Sequence, residues 1–112
     1  MIYYMNLWLN SFQAIKDKTK TIEMRLFDKK RSMIKIGDII EFSNIESKET
    51  LRCQVINIYR YSNFEELYQH HNKISIGYKE DETANSIDML VYYSKEDIAK
   101  YGVAALKIKT IQ

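Results

Sequence analysis

Proline is absent from this sequence of 112 residues, glycine occurs only three times and cysteine once. With so few breakers, an extended linker or a low-complexity tail is excluded. The lone Cys53 has no internal disulfide partner, so a packed core must supply the stability. No apolar run approaches the roughly 20 residues of a membrane helix, which excludes a helical span. Met1 to Leu9 lacks a basic n-region and contains Asn6, unlike a secretory signal, so a reducing cytosol is the expected compartment. There is no glycine-rich phosphate loop and no Ser-His-Asp arrangement, which leaves loop-cradled nucleotide hydrolysis and triad chemistry without residues. No cofactor motif is present.

What remains is 46% hydrophobic and 29% charged, with nine tyrosines. This mixture closes one core behind a solvated surface, and the length predicts one domain over residues 1–112. The formal charge of +2 is unevenly placed. Lys16, Lys18, Lys20, Arg25, Lys29, Lys30, Arg31 and Lys35 face only Asp17, Glu23 and Asp28 in one stretch. Glu65, Glu66, Glu80, Asp81, Glu82, Asp88, Glu96 and Asp97 dominate a later one. A basic lobe attracts phosphates and an acidic lobe repels them, so a nucleic acid would dock in one orientation.

Met5, Leu7 and Leu9 alternate as in a strand, and Ser11 stands where a helix carrying Phe12 and Ile15 would be capped. In Lys20 to Leu26 the period is two: Ile22, Met24 and Leu26 face one way, Thr21, Glu23 and Arg25 the other. A turn at Gly37-Asp38 leads into a strand with Ile40 and Phe42 on one face. Leu51, Cys53 and Val55 alternate until Ile56 and Ile58 take the opposite parity, which predicts a β-bulge. Ser62 with Glu65, or Asn63 with Glu66, has capping-box spacing before a helix through Leu67 and His71. Ala84, Ile87, Leu90 and Val91 form a helical stripe. Ser94 and Asp97 cap a short helix that Gly102 ends in left-handed conformation, before a last strand with Ala104, Leu106 and Ile108 on one face. The expected core is Ile22, Met24, Leu26, Ile40, Phe42, Leu106 and Ile108. Strands at both ends and in the middle, with short helices between them, favour a mostly β, α+β chain built on a small curved sheet or barrel.

The segment Lys20-Thr21-Ile22-Glu23-Met24-Arg25 carries the most chemistry. A hydroxyl, a carboxylate and a guanidinium at two-residue steps, about 7 Å each, can bind a phosphate or a base edge while Glu23 holds Arg25. The alternative is a solvent-facing strand with an ordinary ion pair. Trp8, Tyr59, Tyr61, Tyr92 and Tyr93 can stack on bases or fill the core. His70 and His71 point about 100° apart on a helix, with no further ligand at zinc spacing, so no metal is expected. Cys53 has an inward parity and reads as inert.

The order of these motifs resembles the ASCH domain family: a helix with Phe12 and Ile15, Lys20 to Arg25, Gly37-Asp38-Ile39-Ile40-Glu41-Phe42, Phe64-Glu65-Glu66-Leu67, and Tyr92-Tyr93-Ser94 to Tyr101-Gly102-Val103. The resemblance implies a PUA-like β-barrel with short flanking helices and RNA or a nucleotide or nucleoside as the partner. It also implies a cleft between barrel and first helix lined by Lys20, Thr21, Glu23 and Arg25, with Tyr92, Tyr93 and Ser94 on the opposite lip. The family glycine two residues before the motif lysine is Lys18 here. Some members are amidohydrolases of acylated cytidine that use a lysine, a threonine three residues on and a distant glutamate. Lys20 matches the lysine, Glu23 occupies the threonine position, and Glu80 and Glu82 are candidates for the glutamate. Were this chain a hydrolase of modified nucleosides or single-stranded RNA, Lys20 and Glu23 would be the catalytic pair; a protein-interaction module is the third reading.

Overall fold

The computed structural model describes residues 1–111. The strands are β1 (Ile2–Leu7), β2 (Ile22–Leu26), β3 (Ile39–Asn44), β4 (Thr50–Tyr61) and β5 (Val103–Thr110), and the helices α1 (Leu9–Lys16), α2 (Phe64–His70) and α3 (Lys95–Tyr101). Short 3-10 helices cover Arg31–Met33 and Ser86–Val91. The strands form one curled sheet in the order β1-β3-β4-β5-β2, with β1 parallel to β3 and every other pairing antiparallel. The sheet is a half-barrel whose edges, β1 and β2, share no ladder. The expected small α+β barrel is thus present, with an open seam. No helix among the described residues is long and apolar enough to cross a membrane.

The predicted bulge is in β4. Val55 pairs with Ile108 and Asn57 with Lys107, which leaves Ile56 without a partner in the ladder. After this extra residue the inward parity passes from Cys53 and Val55 to Ile58, and the strand bends around the barrel. Inside lie Leu7, Phe12, Ile15, Ile40, Phe42, Leu106 and Ile108.

The expected core changes in one respect. Ile22 and Met24 pack outside the barrel, in a second cluster with Phe64, Leu67, Met89, Val103 and Ala105. Because α2 and the 3-10 segment cover this face, β2 and β5 are buried on both sides, and Val103 to Leu106 are all buried. The other parity of β2 therefore faces the barrel: Glu23 is paired with Leu106 and Arg25 with Ala104. What the alternation presents as a polar outer face is the interior-facing one.

Local signals were also resolved by packing. The first helix starts at Leu9 with Trp8 as N-cap, so Leu9 leaves the strand and Ser11 sits inside the helix. Of the two capping-box options Asn63 is used, its side chain accepting from the Glu66 N–H, and Ser94 accepts from the Asp97 N–H at α3. The stripe Ala84, Ile87, Leu90 and Val91 is not buried. A 3-10 helix turns Met89 inward and leaves Ile87, Leu90 and Val91 exposed. Lys18 takes φ +68°, the left-handed turn for which glycine is suited. Gly102 has φ +72° but extended ψ, and a Cβ there would lie 2.9 Å from the Tyr61 carbonyl oxygen, so the α3–β5 junction admits only glycine.

Candidate binding cleft

A cavity of about 490 Å³ opens at the seam, between the β1–α1 junction, β2 and the segment from Ile76 to Tyr93. Its floor is an ion cluster. Glu23 Oε1 accepts from Lys20 Nζ at 2.8 Å and Oε2 from Arg25 Nε at 2.7 Å. Lys20 and Glu23 are only 6% and 3% exposed. Two cations on one carboxylate leave one excess positive charge at the floor, while Glu82 and Asp88 bring two negative charges to the wall of the same cavity. Arg25 also donates through Nη2 to the Asn6 carbonyl oxygen at 3.1 Å, spanning the seam between the two edge strands.

Burial pushes the Glu23 carboxyl upward, but Lys20 and Arg25 beside it outweigh that and hold it below the ordinary carboxylate value. Burial lowers Arg25, and the opposing effect of Glu23 and the nearby Tyr93 raises it overall. Both groups are thereby held ionised.

The far wall depends on a pinned loop. Lys73 Nζ donates to the carbonyls of Glu80 and Glu82, at 2.7 and 2.6 Å. This brings Gly77, with φ +114°, against the Lys20 stem. Tyr78 donates to Asp88 Oδ2 at 2.7 Å and accepts from Tyr68 at 3.0 Å. Burial, with Tyr78 and Asp88 as further causes, raises the Tyr68 hydroxyl far above its ordinary value. The rim is aromatic and open: Trp8 and Tyr92 are each 55% exposed.

Of the residues the sequence points to, Lys20, Glu23, Arg25, Tyr92 and Tyr93 line this cavity together. Thr21 and Ser94 do not. The Thr21 main chain joins Ser75 and Ile108, and the Ser94 hydroxyl caps α3. Glu82 lines the cavity whereas Glu80 does not. Sequence reasoning missed Asn6, Gly77, Tyr78 and Asp88. Only Gly77 carried a signal, as an isolated glycine in a polar loop. Tyr78 and Asp88 lie in a stretch without periodicity, and the Asn6 contribution is a main-chain carbonyl.

His70 and His71 lie elsewhere: His70 stacks on Tyr61, and His71 Nε2 is 2.8 Å from the Tyr61 hydroxyl. Among the described residues no three His, Cys, Asp or Glu side chains group as metal ligands. Cys53 is buried, and burial with the nearby Glu23 pushes its thiol up to about 11, so it is a poor nucleophile.

Residues 5–112 match the ASCH domain family. No curated protein matches the chain. Among solved structures, the hypothetical protein PH0355 is 32% identical with a TM-score of 0.84, covering 99% of this chain and 100% of its own. The protein PF0455 from Pyrococcus furiosus is 31% identical with a TM-score of 0.78, covering 100% and 99%. An ASCH protein from Zymomonas mobilis is similar in fold, with a TM-score of 0.69 at 14% identity over 96% of this chain and 66% of its own.

Proposed function

The chain belongs to the ASCH domain family, and from that premise we propose that it binds RNA in the cytosol, admitting one nucleotide to the cleft. The observation that carries this reading is the ion cluster Lys20–Glu23–Arg25 at the floor of a cavity rimmed by exposed Trp8 and Tyr92, with the carboxylates of Glu82 and Asp88 on its wall. A base brings an aromatic face, carbonyl acceptors and amino donors. Trp8 and Tyr92 take the face by stacking. Free N–H groups of Arg25 and the Lys20 ammonium take carbonyl or phosphate oxygens, and Asp88 accepts from an amino group. Glu23 orients both cations, and Tyr93 packs beside Arg25. Thr21 and Ser94 act indirectly, through the β2 main chain and through the α3 cap that follows Tyr92 and Tyr93.

The hydrolase reading asks more of the same residues. A general base needs a proton affinity near the working pH, and Glu23 is held well below it by two cations. The Lys20 ammonium is engaged by that carboxylate rather than by a hydroxyl nucleophile.

Titration of fluorescein-labelled single-stranded RNA by anisotropy tests the proposal. Trp8→Ala and Tyr92→Ala are each expected to weaken binding about tenfold, within the roughly 1–3 kcal/mol of a base–aromatic stack. Arg25→Ala is expected to weaken it further. Absence of RNA binding by the parent, or unchanged affinity in all three variants, overturns the reading. Deacylation of N4-acetylcytidine or RNA cleavage by the parent, lost in Lys20→Ala, would replace it with the hydrolase.

A further inference from the structure

A second cavity, of about 220 Å³, lies on the other side of the Arg25–Asn6 bridge. Tyr3, Tyr4, Met5 and Asn6 of β1 form one side, and Lys30 and Arg31 contribute the other. Arg25 and Asn6 line both cavities, so one guanidinium forms the wall between them.

The main chain of β1 adds donors. Ile39 N–H donates to the Met1 carbonyl and Ile45 N–H to the Leu7 carbonyl, so odd-numbered residues of β1 turn their peptide groups to β3. The strand alternation then leaves the peptide groups of Tyr4 and Asn6 on the seam side, where the Asn6 carbonyl already meets Arg25. Among the described residues the N–H groups of Tyr4 and Asn6 find no partner, and they remain for a ligand.

Charge distinguishes the side chains. Arg31 is held by Asp28 at 2.6 Å, Lys16 by Glu49, and Lys20 and Arg25 share Glu23. Lys30 is exposed and makes no ion pair among the described residues. Lysine and free peptide N–H groups along a strand edge match phosphate oxygens, which accept from both.

We propose that this groove holds the backbone phosphate next to the nucleotide in the main cleft, so that the chain recognises an oligonucleotide rather than a mononucleotide. This rests on the RNA-binding reading above and specifies its ligand. The strand crosses the seam over Arg25, with its base-bearing nucleotide on the aromatic side and the neighbouring phosphate against Lys30 and the β1 edge.

The test measures affinities of the four nucleoside 5′-monophosphates and four fluorescein-labelled homohexanucleotide RNAs over a salt series, by competition anisotropy. In the parent, a hexanucleotide is expected to bind at least about tenfold more tightly than its mononucleotide. Lys30→Ala is expected to lower that ratio about fivefold at low salt and reduce the salt slope by about 1, with a larger loss for Lys30→Glu. Lys109→Ala, the same charge change on exposed β5 surface, is expected to alter the ratio little. Equal binding of hexanucleotides and mononucleotides, or equal effects of Lys30→Ala and Lys109→Ala, overturns the groove and leaves the cleft reading intact. If Trp8→Ala and Arg25→Ala leave hexanucleotide affinity unchanged, the cleft reading itself fails. Circular dichroism and thermal melts confirm that each variant is folded.

Discussion

The stem of Lys20 runs across Gly77 so closely that a Cβ at Gly77 would lie 3.2 Å from Lys20 Cδ. The glycine serves two purposes there. It accommodates φ +114°, which L side chains rarely adopt, and it leaves the stem room to bring Nζ to Glu23. Gly77→Ala is expected to destabilise the fold by about 1–3 kcal/mol in urea unfolding, and to weaken RNA binding because the ammonium is displaced. An alanine variant with parent stability and affinity would show that loop and lysine adjust independently.

The ion cluster predicts unequal effects of removing its members. Lys20→Met leaves Glu23 paired with Arg25 and one carboxylate oxygen short of a donor, an expected loss of about 1–2 kcal/mol. Glu23→Gln leaves two cations facing each other with their carboxylate gone, an expected loss of about 3–5 kcal/mol. Chemical denaturation of both variants at neutral pH is the check, and the order of the two losses is the prediction.

The same carboxylate makes stability depend on pH in one direction. Unfolded Glu23 takes up its proton near the ordinary value of 4.5, while the folded group is held lower despite burial, because Lys20 and Arg25 favour the charged form. Between those two values the unfolded chain binds more protons, so stability declines as pH falls, and below the folded value the contribution is lost. The parent's advantage over Glu23→Gln is therefore expected to be level from about pH 6 to 7 and to shrink below about pH 4.5. Unfolding free energies of both proteins across that range would reveal an advantage that persists in acid.

Lys18 offers a stabilising change. Its φ of +68° lies where a side chain crowds the following carbonyl, at a price of roughly 1–2 kcal/mol. Lys18→Gly is expected to raise stability by about 1 kcal/mol after the greater freedom of unfolded glycine is counted, a melting-temperature gain of about 4 °C. A fall in melting temperature would mean that the lysine has a compensating contact.

Alternation alone was enough to locate β2 and the inward residues of β3, and the parity change at Ile56 marked the bulge, because both depend on the two-residue repeat of a strand. Capping at Asn63 and Ser94 was legible for a similar reason, since a side-chain acceptor three residues before its N–H is a local geometry. The motif order likewise carried the family. Period two separates the faces of a strand but does not say which is inside. In β2 both faces are covered, and α2 packing on Ile22 and Met24 turned Glu23 toward the barrel, where a carboxylate persists only because Lys20 and Arg25 meet it. The seam, the Asn6 carbonyl that answers Arg25, and the approach of Tyr78 and Asp88 join residues far apart in the chain. Those contacts were decided by the curl of the sheet and the pinning of one loop by Lys73, which leave no periodic trace in a single sequence.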